Sequence, residues 1–184
     1  MQIMLALIGW LIGIISVTLN LILLRIRRSA RALTFGRMQN GVSVIRRELI
    51  RMDYAPDIIV AINKGGCVVG DLLAIDMDKP MICLMIERRE TDGVKIRAVL
   101  NDELGIPLPD LTSKKVLIVD DFEGTCTTLC EARKYLQGKN AAEIRTALLW
   151  SCLPTANRRI DPDIIAFDVQ AEPLMVPWGK IPTR

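Results

Sequence analysis

Residues 115–129 read Lys115-Val-Leu-Ile-Val-Asp-Asp-Phe-Glu-Gly-Thr-Cys-Thr-Thr-Leu129, and this stretch is the most informative part of the chain. Its apolar run Val116–Val119 is too short for a helix and is typical of a strand buried in a parallel sheet. Two carboxylates, Asp120 and Asp121, follow at the carboxyl end of that strand. A turn of small and hydroxyl-bearing residues comes next, and a helix is expected to begin near Leu129.

The turn 124–128 has the composition of a phosphate-binding loop. A turn that leads into a helix presents backbone N–H groups and the positive end of the helix dipole to an anion. The two carboxylates beside it would repel a phosphate, so we expect them to bind ribose hydroxyls or a magnesium ion instead. The strand, the acidic pair and the turn together predict a pocket for a phosphorylated sugar.

A second motif precedes the first by one strand and one helix. It reads Pro56-Asp-Ile-Ile-Val-Ala-Ile-Asn-Lys-Gly-Gly-Cys-Val-Val-Gly-Asp-Leu-Leu-Ala74. The pattern predicts a buried strand over Ile58–Ile62, a turn over 63–66 and a helix from Cys67 onward. The paired glycines allow the backbone to approach a ligand closely, and Lys64 places a cation in the turn.

The rest of the chain repeats this alternation of strands and helices. Further strands are expected over Pro80–Ile86, Ile144–Trp150 and Ile164–Val169, with a helix over Thr128–Leu136. The fold class is therefore α/β, with a five-stranded, parallel, doubly wound (Rossmann-like) sheet. Ligands of such sheets bind at the carboxyl ends of the strands, where both candidate turns emerge.

From Phe35 to the C-terminus the chain resembles the type I phosphoribosyltransferases, whose motif for phosphoribosyl pyrophosphate (PRPP) is an apolar strand, two acidic residues and a threonine-rich turn. The resemblance implies that Asp120 and Asp121 are the catalytic pair, binding the ribose and, through PRPP, Mg²⁺. It implies a loop for the 5′-phosphate made of Glu123, Gly124, Thr125, Cys126, Thr127 and Thr128. It also implies a pyrophosphate site made of Asn63, Lys64, Gly65, Gly66 and Arg88, with Arg89 beside the last.

The resemblance extends to two less regular segments. Residues Glu87–Lys115 are charged and contain glycine and proline; they match the position of the family's mobile loop, and a solvated surface excursion fits them equally well. The tail Glu172–Gly179 is similar to the Pro-Trp ending of the xanthine-guanine and hypoxanthine branches. It implies a base pocket that includes Leu174 and Trp178, although the aromatic residue that precedes the Pro-Trp pair in that branch is missing here.

Two residues of the phosphate loop depart from the family pattern. Cys126 stands where the family has glycine, and Gly124 stands where the purine-specific branch has an aspartate that exchanges a proton with the base.

Two functions therefore stay open. One is a membrane-anchored glycosyltransferase that moves a phosphoribosyl group to a nucleobase-type acceptor. The other is a catalytically degenerate nucleotide sensor or effector that acts through oligomerisation or a membrane partner.

The N-terminal segment differs in kind from the rest. Residues Ile3–Leu24 contain no charged side chain, and arginines follow from Arg25. The length of this run is about the 20 residues that a helix needs to cross a membrane. We expect residues 1–28 to form a transmembrane anchor with a basic border, and residues 29–184 the phosphoribosyltransferase-like domain. The positive-inside rule places the N-terminus of this single-pass protein outside and the domain in the cytoplasm.

Within that span, Gly9 and Gly13 form a small-xxx-small pair. Such pairs let helix backbones approach closely, which favours a homo-oligomer, although glycine is also simply common in membrane helices. The net charge of +3 is modest and its basic excess lies beside the predicted anchor, so no nucleic-acid partner is expected.

The composition restricts the chemistry. The chain contains no histidine, which excludes Ser-His-Asp and Cys-His catalysis and imidazole bases. Its five cysteines are scattered, which indicates reduced thiols rather than a disulfide framework.

Overall fold

The computed structural model describes residues 10, 13–22, 34–91, 94–99, 105, 107–123, 125–151 and 155–168. Residues 13–22 are helical and are called α1. Among the described residues, no helix combines the length and the apolar character that a bilayer crossing requires. Gly9 lies outside the described residues, so the membrane anchor stays a prediction.

The structure has one main sheet of five strands, in the spatial order β2-β1-β5-β6-β7, and every neighbouring pair is parallel. These strands are β1 (Ile58–Ile62), β2 (Met81–Leu84), β5 (Lys115–Glu123), β6 (Glu143–Ser151) and β7 (Ile164–Asp168). The helices are α2 (Phe35–Arg51), α3 (Gly65–Met77) and α4 (Thr127–Gln137), with a 3-10 turn at Thr155–Asn157. The prediction of a five-stranded parallel α/β sheet is confirmed.

Apolar side chains on the two faces of the sheet form two separate core clusters. On one face, Ile59 and Leu117 pack in a cluster with buried residues of α2 and α3. On the other face, Val60 and Ile118 pack with buried residues of α4. Successive side chains of a strand point to opposite faces, so only a continuous apolar run can fill both clusters. This explains why the central strands read as uninterrupted apolar stretches.

Helix α2 covers the sheet with one apolar stripe. Met38, Val42, Ile45 and Leu49 recur at intervals of three and four residues and are all buried. The helix begins after Thr34, whose Oγ1 accepts a hydrogen bond from the Arg37 N–H at 3.3 Å. The helix begins at Phe35, the residue from which the sequence resemblance runs, and the predicted domain boundary at residue 29 stays a prediction.

Several element boundaries differ from the sequence prediction, and those beside the candidate site matter most. Strand β5 continues to Glu123, so Asp120 and Asp121 lie inside the strand rather than after it. The reason is that β5 stays paired with β6 as far as Glu123, which lies opposite Ser151. This pairing keeps the polar residues at the end of β5 in the sheet. Helix α3 begins at Gly65, two residues before its predicted start, and α4 begins at Thr127, one residue before the predicted helix Thr128–Leu136.

The segment Glu87–Lys115, predicted to be irregular, contains a two-stranded antiparallel sheet of β3 (Glu87–Thr91) and β4 (Val94–Val99). The expectation that this segment has no regular secondary structure is therefore wrong for these residues, whereas its function as a mobile loop or a solvated surface excursion stays a prediction. Alternation of apolar and basic residues in Val94-Lys-Ile-Arg-Ala-Val99 has the period of a strand, and this signal was missed.

Candidate functional site

The two sequence motifs meet at the carboxyl edge of the sheet. Strands β1 and β5 are neighbours, so the turn that follows β1 lies against the acidic pair of β5. A Cβ atom built on Gly65 would overlap the Asp121 carboxylate, and one on Gly66 would lie 2.8 Å from the Val119 carbonyl oxygen and 3.0 Å from Asp120 Oδ1. Only glycine permits this approach, which explains the paired glycines physically.

Asp120 is a buried carboxylate, with 6% of its surface exposed. Its Oδ1 accepts a hydrogen bond from the Asp121 N–H at 2.9 Å. Burial raises the pKa of Asp120 well above its ordinary value, and the negative charges of Asp121 and Glu123 add to that shift. The site therefore concentrates negative charge in a poorly solvated place, and a bound cation would relieve the repulsion.

The turn after β1 is held by Asn63. Its side-chain Oδ1 accepts a hydrogen bond from the Ile86 N–H at 2.7 Å, and its own N–H donates to the Leu84 carbonyl at 3.0 Å. The next residue, Lys64, is exposed and occupies the N-cap of α3. Asn63 thus fixes the turn to the end of β2, and Lys64 presents its ammonium group at the surface.

The described part of the phosphate loop exposes hydroxyl groups beside the start of α4. Thr125 and Thr127 have their Oγ1 atoms 2.8 Å apart on the surface. The Thr125 carbonyl accepts a hydrogen bond from the Arg159 N–H at 2.7 Å, which ties the loop to the segment before β7. Gly124 lies outside the described residues. The two hydroxyls can donate to an anion placed at this edge.

Cys126, at the position where the family has glycine, adopts a left-handed backbone conformation. Its φ of 53° and ψ of 31° lie in the left-handed region, which costs a non-glycine residue roughly 1–2 kcal/mol. Its side chain is fully buried in the apolar cluster that α4 covers. Burial raises the pKa of the Cys126 thiol to about 12, so the thiol stays protonated at neutral pH.

The buried side chain of Glu123, at the end of β5, contacts the N-terminus of α4. Its Oε1 accepts a hydrogen bond from the Thr128 N–H at 2.5 Å, and its Oε2 accepts one from the Leu129 N–H at 3.3 Å. Only 6% of its surface is exposed. The sequence predicts Glu123 to be part of the phosphate loop; in the structure its carboxylate caps α4.

The remaining predicted site residues are less fully described. Arg88 lies in β3, where its backbone pairs with Ala98. Leu174 and Trp178 lie outside the described residues, so the base pocket stays a prediction.

Sequence reasoning missed Arg158, whose side chain is only 3% exposed. Its guanidinium forms an ion pair with Asp168 at 2.8 Å and a longer one with Asp161 at 3.9 Å. Arg158 precedes Arg159, whose N–H donates to the Thr125 carbonyl of the phosphate loop. The positive charge of Arg158 lowers the pKa of the Cys126 thiol, although burial raises that pKa by more. The sequence offered no signal for it, because an isolated basic pair in a loop is ordinarily solvated.

The acidic pair fits a magnesium ion that is shared with a ligand. Among the described residues, no group of three or more His, Cys, Asp or Glu side chains is placed to hold a metal alone. Magnesium commonly takes only one or two protein carboxylates and completes its octahedron with ligand phosphates and water. Two adjacent carboxylates, one of them with an unfavourably buried charge, match that donor set.

Comparison with known proteins gives a family match over most of the chain. Residues 38–180 match the model of the phosphoribosyl transferase domain. Ribose-phosphate pyrophosphokinase 1 from Candida albicans is 32% identical over 102 residues, which is 55% of this chain and 29% of that protein. The chain thus spans less than a third of the length of that curated relative.

Solved structures share the fold. The purine phosphoribosyltransferase from Pyrococcus horikoshii Ot3 is 23% identical, with a TM-score of 0.68 over 83% of this chain and 96% of that one. A hypothetical protein from Neisseria gonorrhoeae with bound ppGpp is 19% identical, with a TM-score of 0.61 over 74% of this chain and 83% of that one. The xanthine-guanine-hypoxanthine phosphoribosyltransferase of Helicobacter pylori is 16% identical, with a TM-score of 0.57 over 71% and 80% of the two chains.

Proposed function

Because this chain belongs to the phosphoribosyl transferase domain family, we propose that it binds PRPP with Mg²⁺ and transfers the phosphoribosyl group to a nucleobase-type acceptor. The contact between the Gly65–Gly66 turn and the acidic pair of β5 carries this proposal. It brings a cation, backbone N–H groups and two carboxylates to one edge of the sheet. These are the groups that a ribose bearing pyrophosphate requires.

Each part of the site has a separate task in that reaction. The bond from ribose C1 to the pyrophosphate oxygen breaks, and a nitrogen of the acceptor forms the new bond to C1. Asp120 and Asp121 bind the ribose hydroxyls and lie near the positive charge that develops on the sugar. Lys64 and the N–H groups of the glycine turn stabilise the departing pyrophosphate. Thr125 and Thr127 bind the 5′-phosphate.

Magnesium would be held by Asp120 and Asp121 together with oxygens of PRPP. The ion supplies charge neutralisation to the pyrophosphate as it departs. The Asp120 carboxylate, whose pKa burial raises, would be ionised more readily with a magnesium ion beside it. Binding of PRPP is therefore expected to depend on Mg²⁺.

The N-terminal segment supports attachment of the domain to a membrane. The uncharged run Ile3–Leu24 and the arginines after it favour a single span with the N-terminus outside and the domain in the cytoplasm. No described atom lies within 4 Å of a Cβ built on Gly13, which leaves that position open to a second helix. A reporter that is active only in the cytoplasm should work when fused to the C-terminus and fail when fused to the N-terminus.

A second candidate is a nucleotide sensor or effector without catalysis. The observation that favours it is the carboxylate of Glu123, which already takes two N–H groups of α4 and adds negative charge to the phosphate loop. The Neisseria gonorrhoeae structure with this fold binds ppGpp, a nucleotide with pyrophosphate groups. Such a nucleotide could use the glycine turn for its pyrophosphate while the sensor signals through oligomerisation or a membrane partner.

Titration of the full chain in detergent micelles separates these functions. We expect PRPP to bind by calorimetry only when Mg²⁺ is present, and pyrophosphate to be released when a suitable nucleobase is added. Replacement of both acids, Asp120→Asn with Asp121→Asn, should weaken PRPP binding at least roughly 100-fold, because charge-assisted hydrogen bonds contribute about 1.5–3 kcal/mol each. The matched control is Asp110→Asn, which replaces an exposed carboxylate outside the candidate site.

Three outcomes are distinguishable in that experiment. Binding of PRPP with pyrophosphate release supports the transferase. Binding of PRPP or ppGpp without release for any common nucleobase supports the sensor. Failure of both ligands to bind would overturn the assignment of the site.

A further inference from the structure

Two thiol groups meet behind the glycine turn. The Sγ atoms of Cys67 and Cys83 lie 2.9 Å apart, and both side chains are partly buried. Cys67 is the third residue of α3, directly after Gly66, and Cys83 lies in the edge strand β2. Neither thiol has a task in the proposed function, although both lie next to the site.

Close packing of α3 on the sheet explains why these thiols meet. A Cβ atom built on Gly70 would lie 2.6 Å from Ala61 Cβ and 2.9 Å from Met81 Sδ. The helix backbone therefore approaches β1 and β2 more closely than any larger residue would allow. Cys83 pairs in register with Ala61, so it lies under the same helix. The contact between the thiols thus follows from a glycine on the helix face that packs on the sheet.

A disulfide requires two sulfurs about 2.0 Å apart. The Cys67 and Cys83 sulfurs must approach by only about 0.9 Å to reach that distance, which a small rotation of either side chain supplies. Partial exposure gives a small oxidant access to the pair. A metal ion is a poorer explanation, because among the described residues no cluster of three or more potential ligands includes these sulfurs.

We propose that Cys67 and Cys83 are a modification site: a dithiol that peroxide oxidises reversibly to a disulfide, tying the start of α3 to the edge strand β2. Burial and the neighbouring Cys83 thiol raise the pKa of Cys67 to about 12, so Cys67 is the resolving thiol of the pair. The Cys83 sulfur, as thiolate, attacks a peroxide oxygen, the O–O bond breaks, and the departing hydroxide takes a proton to become water. The other thiol attacks the resulting sulfenic sulfur, the S–S bond forms, and a second water departs. The two sulfurs together lose two electrons, which reduce hydrogen peroxide to water.

The cross-link has a consequence for stability that can be measured. It closes a loop between residues 16 apart in sequence. Constraining a loop of that length in the unfolded chain should raise the melting temperature by about 6–12 °C for a domain of this size. It would also fix the residue that follows the glycine turn, so it acts on the wall of the candidate site and does not depend on what the site binds.

The test uses the full chain, reduced and then treated with hydrogen peroxide at neutral pH. After free thiols are alkylated and the chain is digested, mass spectrometry should find the Cys67 and Cys83 peptides joined and two hydrogens lighter than their reduced sum. The melting temperature should rise on oxidation and return when a dithiol reductant is added. Recovery of both peptides unlinked from the oxidised folded protein, or linkage only between separate chains, would overturn the proposal.

Matched variants separate this site from the other cysteines. Cys83→Ser should abolish both the linked peptide and the rise in melting temperature, whereas Cys130→Ser, a partly buried cysteine on α4, should preserve both. Circular dichroism of the reduced variants establishes that they are folded. A shift in melting temperature that persists in Cys83→Ser would contradict the assignment.

Discussion

The turns after β1 and β5 perform the same structural task with opposite chemistry. Both lead from a parallel strand into a helix at one edge of the sheet. At the start of α3, Lys64 provides no side-chain cap, and the paired glycines lie against carboxylates of a neighbouring strand. At the start of α4, the buried carboxylate of Glu123 accepts two backbone N–H groups.

This difference indicates which turn is better suited to an incoming anion. Helix N-termini attract anions through the dipole and through N–H groups without a partner in the helix. The first turn adds an exposed lysine to those features, whereas the second already contains a negative charge of its own. In the proposed complex with PRPP, the turn after β1 is therefore expected to contribute more to affinity than the turn after β5.

The strongest test of the first turn is Gly65→Ala. The new methyl group would overlap the Asp121 carboxylate, and relieving such an overlap costs about 1–3 kcal/mol. If the turn dominates affinity, calorimetry with PRPP and Mg²⁺ should show binding roughly 10–100-fold weaker. Gly36→Ala is the control, because no described atom lies within 4 Å of its Cβ position. Equal losses in the two variants would remove the distinction between the turns.

The second turn is tested by Glu123→Gln. The amide keeps a hydrogen-bond acceptor for α4 but removes the negative charge beside the phosphate loop. We expect the free energy of unfolding to fall by about 1 kcal/mol, because a charge-assisted cap is lost, and PRPP affinity to rise about fivefold. Chemical denaturation and calorimetry measure the two effects. Glu131→Gln, on the same helix and paired with Lys134, should leave PRPP affinity unchanged.

The acid between the two turns gives a pH-dependent test. The raised pKa of Asp120 means that the folded state binds this proton more tightly than the unfolded state, so stability falls as pH rises above about 4. Asp120→Asn has no such proton. The stability of the variant relative to the native chain should therefore increase as the pH rises from 4 to neutral, with the smallest difference near pH 4. A difference that is constant across this range, measured by chemical denaturation, would contradict the buried charge.

The smallest effect is expected for Cys126→Gly. Glycine relieves a left-handed backbone angle worth roughly 1–2 kcal/mol, but it also removes a fully buried side chain from the core. The two effects oppose each other, so the melting temperature should change by less than about 3 °C. We expect phosphate to bind up to about threefold more tightly, because the loop gains freedom to close on it. Weaker binding would mean that the cysteine itself shapes the loop.

The positions of the five main strands along the chain could be predicted from the sequence because both faces of the sheet are covered. A strand such as Ile58–Ile62, with every residue buried, leaves a continuous apolar run that few other structures require. The antiparallel pair β3–β4 was missed because its alternation is short and its charges suggested a solvated loop. The ends of β5 and the starts of the helices depend on pairing with β6 and on local capping, which apolar patterns do not reveal.

The roles of individual polar residues were less predictable. Asp120 and Asp121 were recognised by their position after an apolar run, and the structure brings them against Gly65 and Gly66 as a neighbouring-strand arrangement requires. The sequence could not show whether the Glu123 side chain points toward α4 or toward a bound ligand, because the same residue order allows both orientations.

The sequence alone determined the alternation of strands and helices, the two strand-to-helix turns and the carboxylates beside them, because apolar periodicity and turn composition are local properties. Only the tertiary structure decided that Glu123 caps α4, that Cys126 is buried in a left-handed conformation, and that the Cys67 and Cys83 thiols touch. Those features arise where separate elements pack together. A side chain's partner is then set by distances across the fold, which residue spacing along the chain does not encode.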